Sequence, residues 1–434
     1  MKDILKSIIV EFQQRELPEL HARNIQINAD LPIIVTLIGA RRSGKTYLMY
    51  QVVQQIIANG VSRENIVFVN FEDERLTLQT NQLDSILQAY SELYPEKKLS
   101  ECYFFFDEIQ NIKDWEKFVR RIFDNYSTHV FVTGSNAKLL STEIADSLRG
   151  RTITYTVYPL SYREFLQFKG IEYDSIHPQK KALVINNTLQ FIQNGSFPEL
   201  IHFENDSRIK VLQSYFNTMI FRDIVERYKI NDVSVLKYFI KKLFASVGKP
   251  VSINKIYNDL RSMGYKIGNN SLYEFEQYCY SVFLGIQVSK FDFSEIKQAK
   301  SDKKIYAIDT GLLSAIEFST SENRGKLLEN AVCLELFRAG FEVFYYKAIY
   351  ECDFIVLDRS GIMAIQVCWQ LEDTTTLNRE IRALMDVCNK LKVYKAIIIS
   401  FDQKQIIKIN DFEVQVIPFY EWAYDLKFEE KPHS

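Results

Sequence analysis

An α/β fold built on a parallel sheet is predicted for the first part of this 434-residue chain, and three observations predict it. Five short apolar runs alternate with helix-length segments: IIVTLIG (33–39), NIVFVNF (65–71), CYFFFDE (102–108), HVFVTGS (129–135) and RTITYTV (151–157). Runs this short, spaced this way, are the pattern of parallel strands joined by crossover helices. The first run leads directly into a glycine-containing turn and a helical stretch, TYLMYQVVQQIIA. The composition, 47% hydrophobic and 25% charged, is that of an ordinary globular protein with room for more than one core. At roughly 100–200 residues per domain, two to four domains are expected.

The formal net charge of −2 provides no global basic field for nucleic acid, although a local basic face is compatible with it. The six cysteines form no CxxC pair and sit mostly in apolar runs, so they read as buried and reduced. The five histidines show no zinc spacing. The N-terminal MKDILKSIIVEFQQRELPEL carries charges throughout and reads as an amphipathic helix, not a signal peptide. No apolar run reaches roughly 18 residues, so no membrane span and a cytoplasmic location are expected.

Gly39, Ala40, Arg41, Arg42, Ser43, Gly44, Lys45 and Thr46 fit GxxxxGK[ST] without a mismatch, after a strand and before a helix. Glycines let the backbone wrap phosphate oxygens, and N–H groups at a helix N-terminus favour anions. Lys45 would supply positive charge at the β- and γ-phosphates, and the Thr46 hydroxyl would coordinate Mg²⁺. The sheet is therefore expected to be that of a P-loop NTPase, with ATP and Mg²⁺ as cofactors.

Three further elements follow. Asp107 and Glu108 end an apolar strand, where α/β proteins bind ligands. Asp107 would hold Mg²⁺ through its water shell, and Glu108 would activate the attacking water. Thr133-Gly134-Ser135-Asn136 closes the next strand; it can reach the γ-phosphate, or cap a helix starting at AKLL, or both. In Leu148-Arg149-Gly150-Arg151, an arginine could stabilise transition-state charge in its own subunit or a neighbour's, or could simply pair with a surface acid.

GARRSGKT, FFFDEIQ, FVTGSNAKLLS, LRGR and PLSYREFL, in that order, resemble a prokaryotic group of AAA+-like ATPases. GSFPEL (195–200), FRDIVERY (221–228), SVGKPVS (246–252), KIYAIDTGL (304–312), LLENAVCLEL (327–336), ECDFIV (351–356) and AIQVC (364–368) extend the resemblance over nearly the whole chain. It implies an additional-strand catalytic-glutamate core, a winged-helix-like segment and a restriction-endonuclease-like domain otherwise of unknown function. It also implies sensor and arginine-finger roles for Asn136 and Arg151. The expected domains are an ATP-binding domain (1–158), a helical region (159–232), a winged-helix-like domain (233–312) and a PD-(D/E)xK nuclease-like domain with a degenerate site (313–434).

In the middle segment, Ser252 and Asn269 or Asn270 read as helix caps. The candidate reading helix carries Glu274 and Glu276 and little positive charge, so a protein contact competes with DNA binding. Lys290, Lys297, Lys300, Lys303 and Lys304 could contact phosphates. In the last domain, Glu329, Asp353 and Gln366 occupy the places of metal-binding acids, and Cys368 the place of a catalytic lysine. A Gln offers only a neutral carbonyl oxygen, and a thiol cannot replace an ammonium. Lys347 and Lys326 are candidates for a migrated lysine. Three functions remain open: an ATPase coupled to DNA- or protein-binding modules, a slow nucleotide-gated binding switch, and a metal-dependent nuclease. Oligomerisation is compatible with each.

Overall fold

The computed structural model describes residues 1–137, 146–316, 324–358, 361–371, 374–393, 395–409 and 412–426. Contacts divide the chain into two units, one built mainly on Met1–Tyr158 and the other on Pro159–Tyr280 and Leu284–Lys431.

The first unit is a five-stranded sheet, with strands β1 (Ile34–Ile38), β2 (Ile66–Asn70), β3 (Tyr103–Asp107), β4 (Val130–Gly134) and β5 (Thr152–Thr156). The order is β2-β3-β4-β1-β5, and every pairing is parallel. Strand β4 thus lies between the strand that enters the glycine turn and the strand that ends in Asp107. This parallel α/β sheet is that of the P-loop NTPases. Each observed strand is the corresponding apolar run less one residue at either end. The central strands β1, β3 and β4 are buried along their whole length, which is why they read as continuous rather than alternating apolar runs.

One face of the sheet is covered by helices α1 (Lys2–Gln14) and α2 (Lys45–Ala58). Phe12 of α1 stacks on Phe68 at 4.4 Å, Phe68 on Phe105 at 6.0 Å, and Phe105 on Phe131 at 4.6 Å. Burying each such ring contributes about 1.5–3 kcal/mol. The opposite face presents Phe104 and Phe106, with Phe118 of the helix Trp115–Asn125 packed on Phe106 at 5.7 Å. A sheet so covered leaves its strand ends, not its faces, free to bind ligands.

The second unit opens with helices Tyr162–Phe168, Pro178–Asn194 and Asn205–Thr218. The last continues into a π-helix, Met219–Glu226, where the sequence predicts ordinary helix. Three helices follow (Val233–Ala245, Ile253–Ser262, Asn269–Ser281), with strands β6 (Pro250–Val251), β7 (Gly285–Lys290) and β8 (Lys303–Ala307). Ser252 caps its helix by accepting the Lys255 N–H. Strands β9 (Glu342–Lys347), β10 (Glu351–Asp358), β11 (Gly361–Cys368), β12 (Lys395–Ser400), β13 (Gln405–Ile409) and β14 (Phe412–Pro418) complete a mixed sheet. Its order is β13-β14-β12-β11-β10-β9-β7-β8-β6. Strand β7 pairs in parallel with β9, so the two segments expected as separate domains share one continuous sheet.

Two of the distant motifs meet here. Asp309 of KIYAIDTGL accepts the Ser196 N–H of GSFPEL at 2.7 Å and the Leu312 N–H at 3.0 Å. Gly195 has φ 76°, and a Cβ there would lie 2.0 Å from Asp309 Oδ1. This buried latch gives Asp309 and the Gly195–Ser196 turn a structural role.

Candidate nucleotide site

Register brings the site together. Ile38 lies level with Gly134, and Phe106 with Val132, so β1, β3 and β4 release the glycine turn, the acidic pair and the Thr133–Asn136 turn at one edge of the sheet. The glycine turn is tightly held. Gly39 has φ 154°, and a Cβ there would lie 2.1 Å from the Val157 carbonyl oxygen. Arg42 takes φ 66°, a left-handed conformation uncommon for a residue with a side chain.

Lys45 is 4% exposed, and its Nζ donates to the carbonyl oxygens of Gly39 and Ala40, both at 3.1 Å. It also lies 3.4 Å from Glu108 Oε1. Thr46 Oγ1 donates to Asp107 Oδ2 at 2.9 Å, and Thr133 Oγ1 donates to Asp107 Oδ1 at 2.5 Å. Thr133 Oγ1 accepts the Glu108 N–H at 2.9 Å, so one hydroxyl orders both acids. Glu108 stands at φ 54°, a strained conformation costing on the order of 1–3 kcal/mol. That turn sends its carboxylate back over the sheet edge, where Oε2 accepts from Gln110 Nε2 at 2.6 Å and from the Ser135 N–H at 3.2 Å. Arg41 of the turn pairs with Glu72 at 3.0 Å.

Burial, and then the charge of Glu108, push the Asp107 carboxyl up to about 6. Burial also acts to raise Glu108, but Lys45, Gln110, Arg41 and Ser135 outweigh it and hold Glu108 below the usual carboxylate range. The folded chain thus holds a proton on Asp107 that the unfolded chain has released. This linkage costs stability as pH rises from about 4 to about 6, and Asp107 is free to hold a cation only above that window. Mg²⁺-dependent nucleotide binding is therefore expected to weaken by about tenfold for each pH unit below 6. Titration of wild type against Asp107→Asn checks this; an affinity difference constant from pH 5 to 7.5 would contradict it.

The residues present fit a nucleotide and Mg²⁺. The Ser43 Oγ is buried inside the turn with no hydrogen-bond partner, the kind of donor a phosphate oxygen satisfies. Thr46 and Asp107 offer the hard oxygen pair that Mg²⁺ takes in such sites, the remaining positions being filled by phosphate and water. No group of three or more His, Cys, Asp or Glu forms a metal site among the described residues, and this arrangement does not need one.

Asn136 is buried at the same edge, directly after Ser135. The helix it was expected to cap lies largely outside the described residues, in 138–145. Arg151 is placed elsewhere. The Ile34 N–H donates to its carbonyl, which puts Arg151 at the amino edge of the sheet, about 16 Å from the turn at about 3.3 Å per residue. Its guanidinium pairs with Asp124 and lies 5.7 Å from the Phe123 ring. Within its own subunit it does not reach the site, because strand β5 runs parallel to β1 and Arg151 precedes it. Arg23 was not foreseen. It is 9% exposed, and it donates to the Ser43 carbonyl and to the Tyr158 carbonyl, both at 2.9 Å. It clamps the glycine turn to the chain leaving β5. A lone arginine in an irregular segment gives no sequence signal for that role.

The second expected site is arranged differently from its sequence reading. Glu329, Asp353 and Gln366 do converge, but Gln366 Oε1 accepts the Asp353 N–H at 3.1 Å while its amide donates to Glu380 at 2.5 Å. The carbonyl oxygen that a cation could use already accepts one backbone hydrogen bond. Cys368 donates to the Gln370 carbonyl, and burial, followed by the charge of Glu380, pushes its thiol up to about 11. Lys347 pairs with Glu351 at 3.0 Å and is half exposed. The lysine at the heart of this cluster is Lys304, which is fully buried and so cannot serve as a phosphate contact.

An AAA domain family matches residues 32–166, and a domain of unknown function (DUF8612) matches residues 186–323. A solved Walker-type ATPase of Pyrococcus abyssi is 13% identical, covering 72% of this chain and 94% of its own, at a TM-score of 0.42. An uncharacterized protein of Haemophilus influenzae is 30% identical over 389 residues, 89% of this chain and 93% of that protein. An uncharacterized protein of Methanocaldococcus jannaschii is 33% identical over 418 residues, 92% of this chain and 90% of that protein. The AAA match, with the glycine turn, the acidic pair and the strand order of the sheet, identifies the first unit as a P-loop domain, and the chain as a whole belongs to the same family as the uncharacterized Methanocaldococcus jannaschii and Haemophilus influenzae proteins.

Proposed function

We propose that the first unit binds Mg·ATP and hydrolyses it, and that the second unit passes the nucleotide state to a DNA or protein partner. The observation that carries this reading is the linked set Lys45, Thr46, Asp107, Thr133 and Glu108 at one sheet edge. Lys45 and the backbone N–H groups of residues 40–46 hold the phosphates, and Thr46 and Asp107 hold Mg²⁺. Bound Mg²⁺ neutralises charge on the terminal phosphates. Glu108, kept ionised by Lys45, accepts the proton of the attacking water. Ser135 and Asn136 position groups around that water. Arg151, facing away in its own subunit, acts only if a neighbouring subunit receives it. No helix among the described residues is long and apolar enough to cross a membrane.

The helices of 233–281 with the small antiparallel set β6-β8-β7 support a winged-helix reading of that segment. The connection between β7 and β8 carries exposed Phe293 and Ile296 beside exposed Lys297 and Lys300, a surface suited to a partner. The mixed sheet β9–β14 with the helix Arg324–Arg338 supports a nuclease-like fold, with its acids compromised as described above.

A slower reading is favoured by one observation: both Glu108 carboxylate oxygens already have partners. A protein that must break these contacts before each turnover would act as a nucleotide-gated switch. Phosphate release by the purified chain, with and without single- or double-stranded DNA, tests the proposal. Mg²⁺-dependent release is expected; stimulation by one DNA form supports a nucleic-acid partner, and an unchanged rate argues against one. Tight ATP binding with no release above background would leave the switch and reject hydrolysis.

A further inference from the structure

Lys304 lies on β8, in the interior of the second unit, with none of its surface exposed. Its Nζ is 2.8 Å from Glu351 Oε1, 3.4 Å from Glu329 Oε1 and 3.8 Å from Asp353 Oδ1. Taking an ammonium out of water costs several kcal/mol, and only well-placed opposite charges offset it. Here three carboxylates from two different elements surround one ammonium. They are Glu329 from the helix Arg324–Arg338, and Glu351 and Asp353 from β10.

The cluster has further partners. Tyr306 OH donates to the same Glu329 Oε1 at 2.6 Å. Lys347 pairs with Glu351 Oε2 at 3.0 Å, and the Val367 N–H donates to Asp353 Oδ2 at 2.9 Å. A nuclease of this fold would need Mg²⁺ among these acids, with hard oxygens at about 2.0–2.1 Å. The residues present do not fit that ion. The Gln366 carbonyl already accepts the Asp353 N–H, its amide donates to Glu380, and an ammonium stands where the carboxylates converge. A divalent cation and that ammonium would repel each other while competing for the same oxygens.

We propose that the Lys304 ammonium is the built-in cation of the Glu329–Glu351–Asp353 cluster, so that the second unit holds no divalent metal there and does not cleave phosphodiesters. The cluster instead ties β8, the helix Arg324–Arg338 and β10 into one interior. This inference is independent of ATP binding, which depends on other residues.

Mn²⁺ binding to the nucleotide-free full-length chain, followed by electron paramagnetic resonance, tests it. Wild type and Asp353→Asn should bind Mn²⁺ equally. Lys304→Met should melt at a lower temperature than wild type in EDTA, and Mn²⁺ should raise that midpoint unless Asp353→Asn is also present. An Asp353-dependent Mn²⁺ signal in wild type, or plasmid nicking lost in Asp353→Asn, would overturn the proposal. So would a folded Lys304→Met with an unchanged midpoint and no gain of Mn²⁺. If Lys304→Met does not fold, the comparison of wild type with Asp353→Asn decides alone.

Discussion

Lys45→Ala is expected to weaken ATP binding by about 10- to 100-fold and to bring turnover to background. The loss has two sources. The side chain is a buried cation at the mouth of the glycine turn, already holding the carbonyls of Gly39 and Ala40. A hydrogen bond to a charged group contributes about 1.5–3 kcal/mol, and about 1.4 kcal/mol is a factor of ten in affinity. The same substitution strands Glu108, whose Oε1 lies 3.4 Å from Nζ. Without Lys45 the burial of Glu108 goes uncompensated, and its carboxyl moves up towards protonation and away from acting as a base. Equilibrium binding of labelled ATP measures the first effect, and phosphate release measures the second. An affinity within twofold of wild type would contradict the assignment of the turn.

Glu108→Gln separates binding from chemistry. Glutamine keeps the shape of the side chain and an oxygen to accept the Ser135 N–H, but it cannot take a proton. ATP binding should be retained or strengthened, because Lys45 is released from its ion pair. Turnover should fall by about 10²–10⁴-fold, the usual range for losing a general base. Glu108→Ala is less informative, since it also leaves Gln110 and Ser135 without their acceptor.

The parts of the fold that could be read from sequence are those with local causes. The five strands of the first unit were bounded to within one residue because each is an apolar run closed by polar turns, and the glycine turn is recognisable from its own eight residues. The proximity of Asp107, Glu108 and Thr133 followed from their place at strand ends, since parallel strands share an edge. What escaped depends on register and long-range packing. Arg151 directly precedes β5, so it falls at the far edge of the sheet, a fact that motif order does not contain. Arg23 reaches the turn from an irregular segment. In sequence, Lys304 reads like the lysines around it, as a residue that could contact phosphates. Only the fold, which brings the Lys304 side chain to the end of β10 and to the helix Arg324–Arg338, shows that it lies among carboxylates 25 residues and more away. In the same way, the hydrogen bond from the Asp353 N–H to the Gln366 side chain spans adjacent strands and gives no local signal.

The central claim, that this sheet edge hydrolyses Mg·ATP, is tested most directly by phosphate release from wild type and Glu108→Gln assayed side by side, with ATP binding measured on the same preparations. The account predicts Mg²⁺-dependent release by wild type, and a variant that binds ATP at least as well but releases phosphate at least about a hundredfold more slowly. Equal release rates for the two proteins, with ATP bound by both, would contradict it.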